Sequence, residues 1–324
     1  MLEILLTGTN LKKHYPVSKG FFSKEKFIVH ALDGIDINIR EKETMGLVGE
    51  SGCGKTTTGR LLIGLIKPTS GSVQFMDKNI FELDKIELNK IRKDMQIIFQ
   101  DPYASLNPRK TIRNILSRPF IVHEKNQGDL ENKILELLET VGLSPSYRYI
   151  DRYPHEFSGG QRQRIVIARA LALHPKFVVA DEAVSSLDIS IKAQILNLMK
   201  DLGKKMGTTY LFISHDLSVV RFFCDKVMVM YLGKIVESAD VEELFTSPFH
   251  PYTKSLLSAT PIPNPRTTRS AERIVLSGEI PSSINLPKGC RFNTRCSLVH
   301  PKCLKEEPVL IKKEKTRMVA CHLF

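Results

Sequence analysis

The residues best suited to chemistry form one glycine-rich stretch, Gly49–Thr57. Its glycines allow several backbone N–H groups to point at one anion, at the start of a helix predicted over Thr57–Ile66. This spacing is typical of loops that bind nucleotide phosphates, with the lysine on the β- and γ-phosphates and the next hydroxyl on Mg²⁺. The residues predicted to bind phosphate are Gly49, Ser51, Gly52, Cys53, Gly54, Lys55, Thr56 and Thr57, of which Thr56 is also the magnesium ligand. A glycine-rich turn that ends in Lys-Thr by chance is the alternative, and the apolar run Met45–Val48 before the loop argues against it.

A pair of carboxylates, Asp181 and Glu182, follows the apolar segment Phe177–Ala180. Phosphoryl transfer needs one carboxylate to hold Mg²⁺ and another to orient and polarise the attacking water. We therefore predict that Asp181 binds Mg²⁺ and that Glu182 is the general base. An acidic pair that merely opens a surface turn is the alternative, but four apolar residues of the buried type precede this pair.

Two further polar residues lie at the ends of apolar segments. Gln100 follows Met95–Phe99, where it can contact Mg²⁺ or the attacking water, and His215 follows the segment 209–214, where it can touch the γ-phosphate. Each has an ordinary alternative, since a glutamine after a strand is often a solvated cap and an isolated histidine often satisfies local hydrogen bonds. Together with Lys55 and Glu182, they complete the predicted catalytic set.

A second anion-binding pattern, Ser158–Gln161, opens an amphipathic stretch that continues to Leu173. The small residues Ser158, Gly159 and Gly160, followed by Gln161, leave N–H groups and the positive end of a helix dipole available to a phosphate. One chain then carries two phosphate-binding devices that need not meet the same nucleotide. Two chains packed head to tail could each lend the second device to the other's glycine-rich loop.

The order of the elements predicts an α/β fold. Apolar strands alternate with helical segments from residue 45 to residue 214, which is typical of a mainly parallel sheet with ligands at the carboxyl ends of its strands. Ahead of this core, Phe27–Leu32 and Ile35–Ile39 predict an antiparallel β section, with Asp33-Gly34 as a tight turn between them. The polar segment Ser18–Lys26 is predicted to be a loop.

The last part of the chain, from about residue 256, differs from the core in composition and periodicity. Prolines interrupt it, its periodicity is weak, and it contains four of the six cysteines, namely Cys290, Cys296, Cys303 and Cys321. In a cytosolic protein disulfides are rare, so this cluster indicates either a metal centre or reactive cysteines. The Cys-x-x-Cys pairs of zinc ribbons are missing, but zinc held by three or four thiolates, with His300 or His322 substituting, stays open, as do unliganded buried thiols. Cys53 and Cys224 lie apart and are ordinary small residues.

Composition and charge narrow the function classes. The chain has 324 residues, is 42% hydrophobic, and carries a formal net charge of +12 from scattered lysines and arginines. We interpret this charge as a solvated or membrane-apposed surface rather than a nucleic-acid interface. No apolar run approaches the ~18–20 residues of a membrane span, and Met1–Leu6 lacks the features of a secretory signal. We therefore expect a soluble, cytosolic protein.

Taken in order, these patterns resemble the ATP-binding subunits of ABC transporters over about residues 5–255. The resemblance rests on Walker A at Gly49–Thr56, the Q-loop at Gln100, the signature at Ser158–Gln161, Walker B at Phe177–Asp181 with Glu182, the D-loop at Ser186–Asp188 and the H-switch at His215. It implies a P-loop NTPase cassette with a RecA-like parallel core, an antiparallel β subdomain and a helical lobe at about 101–160. It also implies an aromatic residue that stacks on adenine, for which Tyr15 is our candidate and Phe21 and Phe22 are alternatives. Ala183 stands where the family commonly has Pro, and Ser186 where Ala is usual, but neither change removes a ligand or the base.

Within that family, residues 99–108 and 153–157 resemble the oligopeptide/dipeptide importer group. Residues 256–324 resemble the C-terminal extension of that group, which leaves residues 1–255 as the ATPase domain. In that group the cysteine pattern is associated with a [4Fe–4S] cluster, so the resemblance implies that Cys290, Cys296, Cys303 and Cys321 hold one in a structural role.

The same resemblance implies that the chain hydrolyses ATP with Mg²⁺ to energise the import of di- or oligopeptides. The implied partners are a second, similar ATPase subunit in a heterodimer, two membrane permeases and an extracytoplasmic substrate-binding protein, with the chain peripheral on the cytoplasmic face of the cell membrane. The alternatives are an importer of nickel chelates or other small solutes, and a soluble ABC-type ATPase that acts on nucleic acid or ribosomes. A cassette that binds ATP without hydrolysing it is opposed by the intact Lys55, Asp181, Glu182 and His215.

Overall fold

The computed structural model describes residues 3–18, 26–124, 128–260, 274, 276, 278–314 and 316–324. The strands are β1 (Ile4–Ser18), β2 (Lys26–Arg40), β3 (Thr44–Val48), β4 (Ser70–Phe75), β5 (Lys78–Asn79), β6 (Met95–Ile98), β7 (Phe177–Asp181), β8 (Thr209–Ile213), β9 (Lys226–Tyr231), β10 (Lys234–Asp240), β11 (Ile311–Lys312) and β12 (Met318–Val319). The helices are α1 (Lys55–Leu62), α2 (Lys85–Arg92), α3 (Pro102–Ser105), α4 (Ile112–His123), α5 (Leu130–Thr140), α6 (Gly159–Leu171), α7 (Ile189–Met206), α8 (Leu217–Phe223), α9 (Val241–Thr246), α10 (Pro251–Ser258) and α11 (Pro301–Lys305). Most of the predicted loop Ser18–Lys26, with Phe21 and Phe22, lies outside the described residues.

Contacts along the chain divide it into two compact units. The first contains Arg40–Glu43 and Glu82–Ile213, and the second contains Ile4–Ile39, Thr44–Phe81 and Ser214–Phe324. The sequence resemblance predicted a different boundary, with the ATPase domain ending at residue 255 and the C-terminal extension beginning at residue 256. That boundary does not coincide with the two units and stays a prediction. Within the part of the chain that the structure describes, no helix is both long enough and apolar enough to cross a bilayer.

In the first unit, β6, β7 and β8 form a parallel sheet. Met95 on β6 lies opposite Phe177 on β7, Phe177 lies opposite Thr209 on β8, and both pairings continue in register. Every residue of β7 and β8 is buried, as expected for parallel strands covered on both faces. The register brings the carboxyl ends of β6 and β7 to the same edge, which positions Gln100 beside Asp181 and Glu182.

Helices of the first unit surround a separate apolar cluster. Phe120 of α4, Leu137 of α5 and Ala172, which follows α6, pack together, and Leu130 and Leu173 cover them. In α5 the buried residues Ile134, Leu137 and Leu138 recur at the three- and four-residue spacing of one helix face.

The second unit contains two groups of strands. In the sheet with order β2-β1-β4-β5, β4 runs antiparallel to both β1 and β5, which confirms the predicted antiparallel section. In the other group, β3 runs parallel to β9, whereas β10 is antiparallel to β9 and β12, and β11 is antiparallel to β12. The glycine-rich loop leaves β3 and enters α1, as the strand–loop–helix pattern predicts.

The predicted turn at Asp33-Gly34 is wrong. The chain continues through it as one strand, β2, and Gly34 adopts a φ of +85°. Glycine accepts this angle because it has no Cβ, and a Cβ here would lie 2.8 Å from Asn10 Oδ1. The Asp33 N–H donates to the Gly233 carbonyl at 3.1 Å, so this Asp-Gly pair bends a strand instead of reversing it.

An aromatic cluster joins the cysteine-bearing segment to the rest of the second unit. The ring of Tyr231, on β9, lies 4.7 Å from that of Tyr252, on α10, and 5.3 Å from that of Phe292, between ring centroids. All three side chains are less than 2% exposed. Because buried aromatic rings remove large apolar areas from water, this cluster holds the backbone around Phe292 against β9 and α10.

Candidate functional site

The glycine-rich loop of the second unit is shaped by close backbone approach at two glycines. A Cβ on Gly49 would lie 2.2 Å from the Met230 carbonyl oxygen, and a Cβ on Gly54 would lie 2.4 Å from the Ala31 carbonyl oxygen. Their φ values, +153° and +113°, are also in the region that favours glycine. The loop therefore packs its backbone against β9 and β2 while Ser51 and Gly52 stay exposed.

Lys55 lies inside the loop and begins α1. Its side chain is 6% exposed, and its Nζ donates to the carbonyl oxygens of Gly49 at 2.8 Å and Glu50 at 2.9 Å. A buried ammonium at the N-terminus of a helix adds to the positive potential of the free N–H groups there, which favours a phosphate. Cys53 Sγ lies 3.8 Å from Lys55 Nζ, and burial raises the pKa of this thiol, so it stays neutral.

Residues far along the chain hold the same loop, and the sequence analysis missed them. The Glu50 N–H donates to the Tyr252 hydroxyl at 2.9 Å, and the Glu50 carboxylate pairs with the Arg295 guanidinium. Arg295 also lies 3.5 Å from the Tyr231 hydroxyl, and its pKa is raised by the hydrogen bond to Glu50. No sequence pattern links Glu50 to Arg295. The position of Arg295 directly before Cys296 was the one feature of the sequence that could have marked this arginine as important.

Tyr15 and His215 belong to the second unit as well. Tyr15, on β1, is 36% exposed, and Lys13 Nζ lies 4.9 Å from the centre of its ring. An exposed aromatic ring can stack on a base, as proposed for Tyr15. His215 is exposed and precedes Asp216, whose carboxylate accepts hydrogen bonds from the first N–H groups of α8 and so fixes the backbone beside His215.

The catalytic candidates of the first unit meet at the end of β7. Asp181 is the last residue of β7 and is 3% exposed, and Glu182 follows it with a φ of +49°, which is uncommon for a residue other than glycine. The Glu182 N–H donates to the Ile213 carbonyl at 3.0 Å, and Ser185 N–H and Oγ donate to the Glu182 carbonyl at 3.1 and 2.9 Å. Gln100 Nε2 donates to Glu182 Oε2 at 3.0 Å. The structure thus brings Gln100 and Glu182 into direct contact, and fixes Glu182 in a conformation of the kind that clusters at functional sites.

Ser158–Gln161 begins α6 with a reciprocal cap. Ser158 Oγ accepts from the Gln161 N–H at 3.3 Å, and Gln161 Oε1 accepts from the Ser158 N–H at 3.1 Å. Among the described residues, a Cβ on Gly159 would have its nearest contact at 3.9 Å, with Leu187, whereas a Cβ on Gly160 would meet Ile191 at 2.7 Å. The two glycines therefore differ: Gly160 is closely packed against Ile191, and Gly159 leaves room for a side chain.

The four late cysteines gather in the second unit. The Cys290 N–H donates to the Cys303 carbonyl at 2.8 Å, and Cys303 is buried while the other three are half-buried. Burial is the main cause that raises the pKa of Cys290 to about 11, and charge on Cys303, Cys321 and Cys296 contributes in the same direction. Similar contributions act among the other three cysteines, so the four sulfurs lie within electrostatic range of one another. Of the two alternative histidine ligands, His322 has its Nε2 2.9 Å from the Glu306 carbonyl, and its ring centroid lies 6.2 Å from that of His300.

The predicted site residues thus fall into two sets. The glycine-rich loop, Tyr15, His215 and the four late cysteines belong to the second unit, and Gln100, Asp181, Glu182 and Ser158–Gln161 belong to the first. The metal and nucleotide assignments of these residues stay predictions.

Two family models match the chain. The one described as ABC transporter matches residues 32–185, and the one described as oligopeptide/dipeptide transporter, C-terminal region, matches residues 236–303. The first covers the glycine-rich loop, Gln100, the Ser158–Gln161 motif and Glu182, and the second covers the cysteines from Cys290 to Cys303.

Full-length relatives and solved structures agree with these matches. The oligopeptide transport ATP-binding protein AppF of Bacillus subtilis is 50% identical over 324 residues, 99% of this chain and 98% of the relative. The dipeptide transport ATP-binding protein DppF of Haemophilus influenzae is 51% identical over 98% of this chain and 96% of the relative. The ATP-binding cassette MJ0796, solved as a dimer in a post-hydrolysis state with ADP and Pi, superposes with a TM-score of 0.63 at 30% identity, over 73% of this chain and 98% of that one.

Proposed function

Because the chain belongs to the ATP-binding proteins of ABC transporters, in the oligopeptide/dipeptide group, we propose that it hydrolyses ATP to energise the import of di- or oligopeptides. One observation carries the proposal: identity of 50–51% to oligopeptide and dipeptide transport ATP-binding proteins extends over almost all of both chains. The family resemblance drawn from the ordered motifs is confirmed, and so is the cassette fold.

The residues of the second unit bind the nucleotide in this proposal. The N–H groups of Gly49–Thr57 and the Lys55 ammonium hold the phosphates, and Tyr15 stacks on adenine. The observation that supports this role is the loop itself, in which Gly49 and Gly54 pack without room for a Cβ and Lys55 is buried beneath the exposed Ser51 and Gly52. His215 contacts the γ-phosphate.

Magnesium fits the donor set that the sequence assigns to it. Thr56 supplies a hydroxyl, Asp181 a carboxylate and Gln100 an amide oxygen, and such hard oxygen ligands are the ones that Mg²⁺ prefers. When bound, the ion neutralises charge that develops on the phosphate oxygens. Asp181 is the last residue of β7 and is 3% exposed, so its carboxylate belongs to the buried end of a strand and not to a surface turn.

Glu182 is the general base in this proposal. It accepts a proton from water as the water oxygen attacks the γ-phosphorus and ADP departs. The hydrogen bond from Gln100 Nε2 to Glu182 Oε2, at 3.0 Å, orients the carboxylate that accepts this proton. The backbone bonds to Ile213 and Ser185 hold the residue in place, so little reorganisation is needed at the moment of reaction.

Ser158–Gln161 serves the nucleotide of a second ATPase subunit. The reciprocal cap fixes the start of α6, Ser158 is exposed, and the small Gly159 leaves room for an anion from another chain to approach. The partners in this proposal are therefore a second cassette subunit, two membrane permeases and a substrate-binding protein, with the chain on the cytoplasmic face of the membrane.

Cys290, Cys296, Cys303 and Cys321 hold one [4Fe–4S] cluster in this proposal. Four thiolates on a single zinc ion, with bonds of about 2.3 Å, would lie about 3.8 Å apart. Among the described residues, no three of these sulfurs lie within 4.8 Å of one another, which supports a group of several irons over one ion. Thiolates supply the ligands, and the aromatic cluster at Phe292 fixes the segment that carries them.

Iron and acid-labile sulfide in anaerobically purified protein test the cluster. We expect four of each per chain in the wild type and in Cys224→Ser, which alters a cysteine outside the set, and a loss of both in Cys303→Ser. Stoichiometric zinc without iron would remove the cluster from the proposal and leave the zinc alternative.

Reconstitution tests the transport function. We expect ATP hydrolysis by the chain, in proteoliposomes with its second ATPase subunit and two permeases, to rise several-fold when peptide-loaded binding protein is added. Stimulation by a nickel chelate instead of peptides would reassign the cargo. Activity that ignores the binding protein and rises with RNA or ribosomes in a salt-sensitive way would contradict the transporter function itself.

A further inference from the structure

A cluster outside the nucleotide and cysteine sites joins two strands of the second unit. His14 lies on β1, and His30 and Asp33 lie on β2. His14 Nε2 is 3.1 Å from Asp33 Oδ1, and His30 Nδ1 is 3.9 Å from the same oxygen. One ligand atom from each residue lies within 4.8 Å of the other two, and the described residues contain no other group of three histidine, cysteine or acidic side chains that meets this test.

These separations suit a single ion. Ligand atoms bonded at about 2.0–2.1 Å to a tetrahedral ion lie about 3.4 Å from one another, and the distances from the two histidine nitrogens to Asp33 Oδ1 bracket that value. Two imidazole nitrogens and one carboxylate oxygen are a donor set for zinc, cobalt, nickel or copper rather than for magnesium or calcium. With three protein ligands, one coordination position stays open to water.

The surroundings orient the cluster for that role. Arg291 Nη2 pairs with the other carboxylate oxygen of Asp33, Oδ2, which turns Oδ1 toward the two histidines. Ligating carboxylates are commonly held in this way by a second hydrogen bond. The His30 backbone N–H donates to the Ser283 carbonyl at 3.0 Å, which fixes the strand position of that ligand.

His30 provides the observation that a plain hydrogen-bonded cluster leaves unexplained. Its Nδ1 is buried and has no hydrogen-bond partner in the described residues, although it faces Asp33. A buried polar atom without a partner carries a desolvation cost, which a bound cation would offset. The side chains of His14, His30 and Asp33 are 24%, 27% and 18% exposed, so an ion can reach them from solvent.

We propose that His14, His30 and Asp33 form a binding site for one divalent transition-metal ion of the zinc class. The ion would tie β1 to β2 one residue before Tyr15. The site is independent of the cysteine set and of the function proposed above, since none of its ligands takes part in either. Arg291 neutralises part of the Asp33 charge, so we expect weaker binding here than at four thiolates.

Cobalt(II) titration of the full chain tests the site, because cobalt bound by nitrogen and oxygen gives visible bands without the near-ultraviolet band of a thiolate ligand. We expect one equivalent with that histidine-type spectrum in the wild type. His30→Gln removes a ring nitrogen for which the described part of the chain provides no hydrogen-bond partner, and it should abolish this spectrum, as should His14→Ala. His174→Asn, at an exposed histidine of the first unit, should leave it unchanged.

Thermal unfolding with zinc tests the same site without relying on the cobalt spectrum. Zinc should raise the thermal midpoint of the wild type and of His174→Asn by several degrees, and should leave that of His30→Gln unchanged. The proposal is overturned if His30→Gln retains the wild-type cobalt spectrum and zinc response, or if the only cobalt spectrum is a thiolate one that disappears in Cys303→Ser.

Discussion

Arg295 and Glu50 form a two-point ion pair in which Nη1 lies 2.7 Å from Oε2 and Nη2 lies 3.1 Å from Oε1. Glu50 is the second residue of the glycine-rich loop, and Arg295 directly precedes Cys296. The Arg295 side chain is 7% exposed and that of Glu50 is 23% exposed. The shape of the glycine-rich loop therefore depends on a residue within the cysteine-bearing segment.

A double-mutant cycle measures that dependence. We expect Arg295→Met and Glu50→Gln, alone and together, to show a coupling energy of about 1–3 kcal/mol in urea unfolding, since paired groups that share a contact are not additive. Removing Arg295 alone leaves a partly buried carboxylate without its cation, which is the costlier state. ATP affinity should fall in the same variants.

The exposed pair Arg221 and Glu242 is the matched control for this cycle. It is also a two-point pair, through Nε–Oε1 at 3.2 Å and Nη2–Oε2 at 2.8 Å, and belongs to the same unit, but both side chains are more than half exposed. Solvent screening should leave its coupling within experimental error. Equal coupling in the two cycles would contradict the role given to Arg295.

His250 predicts a loss of stability in mild acid. Its side chain is 1% exposed, its Nδ1 accepts from the Tyr252 N–H at 3.1 Å, and burial lowers its pKa from 6.5 to about 3. The unfolded chain therefore takes up a proton first as the pH falls below 6.5, and the stability from this residue is lost progressively down to about pH 3.

The substitution His250→Asn isolates this effect, because asparagine also caps a helix but does not titrate. Between about pH 7.5 and about pH 5, we expect the wild type to lose about 2 kcal/mol more unfolding free energy than the variant. Urea titrations across that range check it, with His174→Asn as an exposed control. Parallel curves for the wild type and His250→Asn would show that His250 does not titrate as proposed.

The two glycines at the start of α6 should respond differently to alanine. A Cβ on Gly160 would meet Ile191 Cγ2 at 2.7 Å, so Gly160→Ala should cost about 1–3 kcal/mol through overpacking. A Cβ on Gly159 has nothing closer than 3.9 Å, so Gly159→Ala should fold as well as the wild type. Urea unfolding distinguishes them, and equal losses would contradict the packing argument.

Because Gly159→Ala should not affect folding, it can test whether Ser158–Gln161 acts on the nucleotide of the other subunit. In mixed dimers that carry one altered chain, hydrolysis at the partner's glycine-rich loop should fall while hydrolysis at the altered chain's own loop persists. To separate the two sites, one glycine-rich loop at a time is inactivated, by Lys55→Ala in this chain or by alanine at the corresponding lysine of the second subunit, and a trapping nucleotide then reports which site hydrolyses. Loss confined to the altered chain's own loop would contradict an exchange of Ser158–Gln161 between subunits.

Features that depend on the spacing of nearby residues were predicted correctly from the sequence. The glycine-rich loop, the parallel strand β7 before Asp181 and Glu182, and the capped start of α6 all depend on residues within a few positions of one another. Boundaries were less well defined: the helix predicted over Thr57–Ile66 is observed as α1, Lys55–Leu62, because the loop geometry already recruits Lys55 into the first turn.

Other features depend on tertiary contacts that no local pattern contains. The Asp33-Gly34 pair was predicted to be a turn, yet Gly34 bends β2 beside Asn10, a neighbour that only the folded sheet provides. Glu50 and Arg295 are 245 positions apart in the sequence. His14 lies 19 positions from Asp33, on another strand, so the histidine–aspartate cluster appears only when β1 and β2 are placed together.

Turnover by Glu182→Gln tests the central claim most directly, that this chain is an ATP hydrolase whose general base is Glu182. Glutamine preserves the size of the side chain and can still contact Gln100, but it cannot accept the proton. With matched ATP binding to the wild type and the variant, the account predicts that phosphate release falls by about 10²-fold or more, in the range typical for loss of a general base. Near wild-type phosphate release from a variant that binds ATP normally would contradict it.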